Sequence, residues 1–131
     1  MNSEMQQQQV FRLEAPIRGD ILWRNNVGAC LDKTGRMIRY GLGNDSTKLN
    51  AVWKSSDLIG IRRVTIAPRH VGMTLGIFAA IEVKRPGWTG RTLTEHEQAQ
   101  YAFHNSVREY GGIAGFASSL DQLKEVMKWD R

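Results

Sequence analysis

The chain has 131 residues, of which 41% are hydrophobic and 24% charged, a mixture that suits one ordinary globular domain over residues 1–131. No apolar run is long enough to cross a bilayer, and the single cysteine, Cys30, excludes an internal disulfide and a thiolate-rich zinc site. Lysine and arginine number 18 against 13 aspartates and glutamates, so the net charge of +5 favours a polyanionic partner such as nucleic acid.

The first part of the chain is predicted to combine one helix with short strands. The glutamine run at residues 6–9 fits an N-terminal helix or a frayed arm. Strands are predicted at 21–24 and 37–40, where apolar and aromatic residues lie between turn signals. Residues 41–56 are polar and contain glycine, so they are predicted to form a loop.

The next part has stronger apolar runs. A buried strand is predicted at 58–61, with a continuation over 64–66. The most apolar stretch, 73–84, is predicted to be mostly a central strand. Beyond a predicted helix, a short strand at 113–117 and a last helix opened by Ser119 end the chain. This order predicts a mixed α/β or α+β domain whose helices cover a sheet.

The clearest helix is predicted from Thr94 to Tyr110. Thr94 and Glu97 have the spacing of a capping box, and Gly111 can end the helix. The apolar face of this helix is predicted to consist of Ala99, Ala102, Phe103 and Val107.

Two charged residues stand at the end of the predicted central strand. Because side chains alternate along a strand, Glu82 and Lys84 share one face. Placing both charges there has a desolvation cost, which a simple ion pair or a phosphodiester site would explain. In such a site Glu82 would offer oxygen to Mg²⁺, and Lys84 would orient or activate the attacking water or offset charge on the phosphorane.

Asp57 stands directly before the predicted strand at 58–61. It is either a turn residue or the second carboxylate that a divalent cation needs. An aspartate, a hairpin's length of chain and then Glu-x-Lys resemble the arrangement of the PD-(D/E)XK nuclease superfamily. Ser56 replaces the proline of that name, at a position that varies widely.

The chain resembles one family of that superfamily, the VRR-NUC or virus-type replication and repair nucleases, which include stand-alone phage members. Five segments in the same order carry the resemblance over nearly the whole chain: 23–29, 56–61, 82–87, 100–103 and 111–117. The resemblance implies a restriction-endonuclease-like core, a central mixed sheet flanked by helices. It also implies cleavage of DNA that depends on Mg²⁺ or Mn²⁺.

The resemblance also implies roles for individual residues. Asp57 and Glu82 correspond to metal ligands, with the backbone carbonyl of Val83 as a further ligand, and Lys84 corresponds to the catalytic lysine. A glutamine on the following helix belongs to the family's site, and Gln100 fits its spacing better than the rival Gln98.

A glutamate in the first helix also belongs to the family pattern, and Glu4 is slightly preferred to Glu14. The implied substrate is branched or Holliday-junction DNA, which a homodimer with two-fold symmetry would match. We expect no membrane association, and a location in the cytoplasm of a bacterial or phage-infected host cell. The alternative function is a basic nucleic-acid-binding module that has a nuclease fold but no catalysis. The residues expected to contact DNA are Arg24, Asn25, Asn26, Arg85 and Arg91.

Overall fold

A computed structural model describes residues 3–129, which belong to two compact units divided after Gly60. Across these residues the chain has four α-helices, six strands and one 3-10 turn, so the predicted mixed α and β class is confirmed. The sequence predicts one central sheet, but the strands pair instead as three two-stranded sheets. No helix within residues 3–129 is long and apolar enough to span a bilayer.

The first unit begins with helix α1, Glu4–Ile17. Its N-terminus is a complete capping box, because the Ser3 hydroxyl accepts from the Gln6 backbone N–H at 3.2 Å and the Gln6 side chain accepts from the Ser3 N–H at 2.8 Å. Gly19 follows with a φ of 86°, a conformation that favours glycine. The glutamine run therefore lies inside a capped helix.

Short strands and one short helix make up the remainder of the first unit. These elements are β1 (Ile21–Arg24), β2 (Gly28–Leu31), β3 (Met37–Tyr40), α2 (Thr47–Val52) and β4 (Leu58–Ile61). Strand β4 pairs with β1, and β2 pairs with β3 as an antiparallel hairpin. The predictions of β1, β3 and β4 are confirmed. The predicted loop at 41–56 is wrong in part, because α2 begins there at the Ser46 cap.

The second unit is built on two parallel strands. Strand β5 (Ala79–Val83) is followed by helix α3 (Glu95–Glu109), strand β6 (Ile113–Ala117) and helix α4 (Leu120–Met127). The register of the parallel pair places Glu82 beside Phe116. A 3-10 turn at Pro68–His70 precedes β5.

Two predictions in this region are wrong. Residues 64–66 do not continue β4, and residues 73–78 are irregular rather than part of the central strand. Strand β5 begins at Ala79, where its pairing with β6 begins, and the Ile113 N–H of β6 donates to the Phe78 carbonyl at 2.8 Å just before it.

The two faces of the β5–β6 sheet are covered by different helices. Gly115 lies beside Ile81, and a Cβ at Gly115 would come within 3.0 Å of Val126 on α4. Phe116 lies beside Glu82, and its ring centroid is 4.7 Å from that of His104 on α3. Helix α3 therefore covers the face that carries the charged residues.

Helix α3 buries a polar face. Its buried residues are Glu97, His104 and Val107, whereas Ala99, Ala102 and Phe103 are exposed. The apolar face predicted for this helix is therefore wrong except at Val107. The physical reason is that the sheet presents charged side chains on this side, so the helix turns complementary polar groups toward them.

Candidate active site

Lys84 lies at the junction of strand and helix in the second unit. Its backbone N–H donates to the Ala117 carbonyl at 2.9 Å, which extends the β5–β6 ladder by one residue. Its side chain is 15% exposed, and its Nζ lies 3.0 Å from Glu97 Oε2. The same Nζ donates to Gln100 Oε1 at 3.1 Å. Two residues predicted to share a site, Lys84 and Gln100, are therefore in contact.

Glu97 accepts hydrogen bonds from three groups. The Thr94 backbone N–H donates to Oε1 at 3.0 Å, and the Trp88 indole N–H donates to Oε2 at 2.8 Å. The Lys84 ammonium is the third donor. The bond from Thr94, then that from Lys84, lower the pKa of Glu97 from 4.5 to about 2. Glu97 is therefore an anion throughout the physiological pH range.

Aromatic rings surround the Lys84 ammonium. The Trp88 and Phe116 rings pack with their centroids 5.0 Å apart. Lys84 Nζ lies 5.7 Å from the centroid of Trp88 and 5.4 Å from that of Phe116. These distances are within the range of cation–π attraction, and the rings also limit access of water to the ion pair.

Glu82 is half-buried on the same face of β5 as Lys84. Within residues 3–129 the carboxylate that pairs with Lys84 is Glu97 and not Glu82, so the simple Glu82–Lys84 ion pair predicted as an alternative is not formed. The pKa of His104 lies below its ordinary value, because burial and then the Arg108 charge lower it. The negative charge of Glu82 acts on this pKa in the opposite direction. The Glu82 carboxylate thus lies in a polar layer beneath α3.

The two glutamines of α3 have different surroundings. Gln98 is exposed, and its Nε2 donates to the Leu93 carbonyl at 3.3 Å. Gln100 is half-buried and has its carbonyl oxygen on Lys84. On a helix, residues two apart point in different directions, so Gln100 is the glutamine that faces the end of β5.

Asp57 and the acids of α1 lie in the first unit. Asp57 is exposed directly before β4, and its backbone carbonyl accepts from the Asn25 N–H at 2.9 Å. Glu14 pairs with Arg18 at 3.2 Å. Glu4, in contrast, shares a depression of about 360 Å³ with Asp57. The residues that line this depression are Glu4, Gln7, Gln8, Phe11 and Asp57.

The side chain of Asn25 organises the chain before Asp57. Its Nδ2 donates to the Ser55 hydroxyl at 2.7 Å and to the Ser56 carbonyl at 2.9 Å. These hydrogen bonds give Asn25 a structural role in addition to the DNA contact that the sequence predicts for it. The other residues predicted to contact DNA are all exposed: Arg24, Asn26, Arg85 and Arg91.

Oxygen donors suitable for a divalent cation occur in each unit. The first unit has the carboxylates of Glu4 and Asp57, and the second has the Glu82 carboxylate followed by the Val83 backbone carbonyl. Across residues 3–129 no three His, Cys, Asp or Glu side chains are grouped as a metal site. Carboxylate and carbonyl oxygens nonetheless have the chemistry that Mg²⁺ and Mn²⁺ prefer.

The sequence predicts Glu97 only as a capping residue and does not predict its contact with Lys84. A signal for that contact exists in the spacing of Glu97, Gln100 and His104. These residues are three and four positions apart, so they lie on one helix face. A stripe of three polar residues on a helix that must cover a sheet indicates a buried polar layer.

Comparisons of the chain with models of protein families, with curated proteins and with solved structures find no match. Membership of the VRR-NUC family therefore stays a prediction from the residues and their order in the sequence. The geometry around Lys84 is the independent guide to function.

Proposed function

We propose that the protein is a divalent-metal-dependent DNA endonuclease. The observation that carries this proposal is the Lys84 ammonium held at 3.1 Å from Gln100 Oε1, on the face of β5 that also carries Glu82. Glu82 and Lys84, preceded in the chain by Asp57, also carry the resemblance to the nuclease superfamily, and Gln100 corresponds to the glutamine of the VRR-NUC family. For Asp57, in the first unit, the proposed role is the one that the resemblance implies, that of an acidic metal ligand.

A purely structural ion pair does not account for this arrangement. One carboxylate, that of Glu97, is enough to neutralise Lys84 at a separation of 3.0 Å. A second carboxylate, Glu82, lies half-buried on the same strand face, where its desolvation has a cost. A carboxylate kept there without a lysine partner fits a group that binds a cation.

The proposed reaction is hydrolysis of a phosphodiester bond. The Glu82 carboxylate and the Val83 carbonyl, both in the second unit, would hold Mg²⁺ or Mn²⁺, which when bound polarises the phosphoryl oxygen and makes water more acidic. The water oxygen forms a bond to phosphorus, the bond from phosphorus to one ester oxygen breaks, and that oxygen takes up a proton. Lys84 donates an N–H to a phosphoryl oxygen, where negative charge grows in the transition state.

The proposed substrate is DNA, and the resemblance favours a branched form. The net charge of +5 supports a polyanionic partner. Exposed Arg85 lines a depression of about 330 Å³ together with Trp88 and Glu97, next to the Lys84 ammonium. A phosphate bound by Arg85 would therefore be close to the proposed catalytic lysine.

A second copy of the chain is the proposed partner of α1. Three apolar residues on this helix, Val10, Leu13 and Ile17, are spaced three and four positions apart. They are 50%, 67% and 77% exposed, respectively. An apolar stripe of this kind is uncommon on a monomer and is typical of an interface. A two-fold dimer would match the pseudo-two-fold symmetry of a DNA junction.

The restriction-endonuclease-like core is also part of the proposal. Its support is the β5–α3–β6 unit, in which parallel strands are joined by a helix that covers the charged face. The cytoplasm of a bacterial or phage-infected host cell, where DNA is accessible, is the proposed location.

The experiment that tests the proposed function is a cleavage assay on labelled four-way junction, flap and duplex DNA. Each substrate is incubated with Mg²⁺, Mn²⁺ or EDTA and with wild type, Glu82→Gln or Glu95→Gln. Glu95 is an exposed residue of α3 and serves as the charge-matched control. We expect metal-dependent cleavage by wild type and Glu95→Gln, and loss of cleavage in Glu82→Gln. Equal activity in all three proteins would reject the proposal.

A non-catalytic binding module would behave differently in the same experiment. It would shift the mobility of DNA but leave every strand intact in every metal. Mn²⁺ would also not raise its melting temperature. A metal-binding protein, in contrast, would show such a rise in wild type and lose it in Asp57→Asn.

A further inference from the structure

Glu97 has more hydrogen-bond donors around it than a helix cap requires. In an ordinary capping box the glutamate side chain reaches back to one backbone N–H. Here Oε1 has that partner, the Thr94 N–H at 3.0 Å, while Oε2 receives both the Trp88 indole and the Lys84 ammonium. The residue is 8% exposed. Its second oxygen is therefore committed to contacts that do not serve the helix terminus.

The Glu97 carboxylate is fixed in orientation from two sides. The Thr94 N–H binds one oxygen, and the Trp88 N–H binds the other at 2.8 Å. The Trp88 ring is itself packed against Phe116 at a centroid distance of 5.0 Å. Rotation of the carboxylate would break at least one of these hydrogen bonds, so Oε2 is a rigid anchor for a cation.

This anchor determines how the Lys84 ammonium is used. An ammonium has three N–H donors. One is directed to Glu97 at 3.0 Å and one to Gln100 at 3.1 Å, which leaves one for another acceptor. A lysine side chain that moves freely loses much rotamer entropy when it is fixed, and here that cost is met before substrate binds.

We infer that Glu97, clamped by Thr94 and Trp88, is a positioning residue that holds the Lys84 ammonium ready to donate its remaining N–H to a phosphoryl oxygen. This inference rests on the proposed nuclease function and deepens it. In this role Lys84 acts as a hydrogen-bond donor to the phosphoryl oxygen, because the Glu97 and Gln100 oxygens at 3.0 and 3.1 Å fix the direction of its remaining N–H.

A double-mutant cycle separates positioning of Lys84 from a merely structural role. The proteins are wild type, Glu97→Gln, Lys84→Met, the double variant, and Glu95→Gln as the matched control. The measurement is the single-turnover rate of junction cleavage with Mn²⁺ and a saturating excess of protein over DNA, together with DNA affinity in Ca²⁺. We expect Glu97→Gln to be about tenfold to a hundredfold slower, as for other residues that orient catalytic groups, with its DNA affinity unchanged. We expect the double variant to be no slower than Lys84→Met, because Glu97 acts only through Lys84.

Two outcomes would overturn the inference while leaving the nuclease function intact. One is a Glu97→Gln protein that cleaves as fast as wild type. The other is a double variant slowed by the full product of the two single effects, which would mean that the residues act independently. If wild type itself does not cleave DNA with any metal, the proposed function is rejected, and that result is distinct from both.

Trp88→Phe tests the same inference if Glu97→Gln does not fold. Phenylalanine keeps an aromatic ring beside Phe116 and lacks the indole N–H that binds Glu97 Oε2. We expect a severalfold slower single-turnover rate with unchanged DNA affinity, and an unchanged rate would contradict the inference.

Chemical labelling gives a readout that does not depend on cleavage. The acylation of Lys84 by a small amine-reactive reagent is followed by mass spectrometry in wild type, Glu97→Gln and Glu95→Gln. We expect a severalfold faster reaction of Lys84 only in Glu97→Gln, because the amine has lost its anionic partner. Equal labelling in all three proteins would show that Glu97 does not hold Lys84.

Discussion

Gln100 accepts a hydrogen bond from Lys84 at 3.1 Å, although the two residues are 16 positions apart in the sequence. The contact exists because α3 crosses the face of β5 that carries Lys84, and parallel pairing of β5 with β6 requires such a crossover. The same crossing places Glu97 and His104 of α3 over the sheet. One helix face thus supplies polar neighbours for the proposed site residues of the second unit.

The contact with Lys84 predicts that Gln100 and Gln98 differ in function. We expect Gln100→Leu to reduce the single-turnover rate of DNA cleavage by about tenfold to a hundredfold, because the substitution removes one of the two acceptors that orient Lys84. Gln98→Leu, on the exposed side of α3, should cleave within about twofold of wild type, as surface substitutions usually have small effects. A larger loss in Gln98→Leu than in Gln100→Leu would contradict this placement.

The low pKa of Glu97 predicts a pH dependence of stability. Glu97 ionises with a pKa of about 2 in the folded protein against 4.5 for an ordinary glutamate. Between these two values the unfolded chain binds the proton and the folded protein does not, so the free energy of unfolding falls as the pH falls. We expect this fall to be smaller in Glu97→Gln than in Glu95→Gln when urea unfolding is measured from pH 6 to about pH 2. Parallel curves for the two variants would show that Glu97 carries no such stabilisation.

The depression shared by Glu4 and Asp57 predicts which acid of α1 affects metal binding. We expect Glu4→Gln to weaken Mn²⁺ binding by about tenfold or more in calorimetric titrations, within the range found for groups that support metal ligands. Glu14→Gln is the matched variant on the same helix, and it should bind Mn²⁺ like wild type because Glu14 pairs with Arg18. The reverse order of effects would assign the role to Glu14.

The apolar stripe of α1 predicts the oligomeric state. We expect wild type to elute as a dimer in size-exclusion chromatography with light scattering, and Leu13→Glu to elute as a monomer, because a charge would be buried at the interface. Arg12→Glu places a glutamate at an exposed position of α1 that is not three or four residues from Val10, Leu13 or Ile17, and this variant should remain dimeric. A wild-type protein that is monomeric at every concentration would reject the proposed dimer.

Local sequence signals predicted the elements that depend on local chemistry. The bounds of β1, β3, β4 and β6 are those of short apolar runs between turn residues, and α3 begins at its predicted capping box. Strand β2 was not predicted, because Gly28–Leu31 has small residues and little β propensity. Its strand conformation comes from pairing with β3, a contact between segments that a local pattern does not contain.

The candidate site was predictable to a similar extent. The types and spacing of Glu82 and Lys84 indicated phosphodiester chemistry, and the resemblance pointed to Gln100. Glu97 was missed because its cap position already explained its presence, and the face of α3 was predicted from apolar residues. A buried polar layer reverses the usual pattern of a helix, so periodicity of apolar residues alone predicts the wrong face.

The most direct test of the central claim is cleavage of a labelled four-way junction followed across a titration of Mn²⁺, with Mn²⁺ binding measured on the same proteins. We expect wild type to bind Mn²⁺ and cut the DNA, and Glu82→Gln to lose both properties. We expect Lys84→Met to keep Mn²⁺ binding but to cut the DNA at least about a hundredfold more slowly than wild type. Intact DNA at every Mn²⁺ concentration with wild type, or equal cleavage by all three proteins, would contradict the central claim.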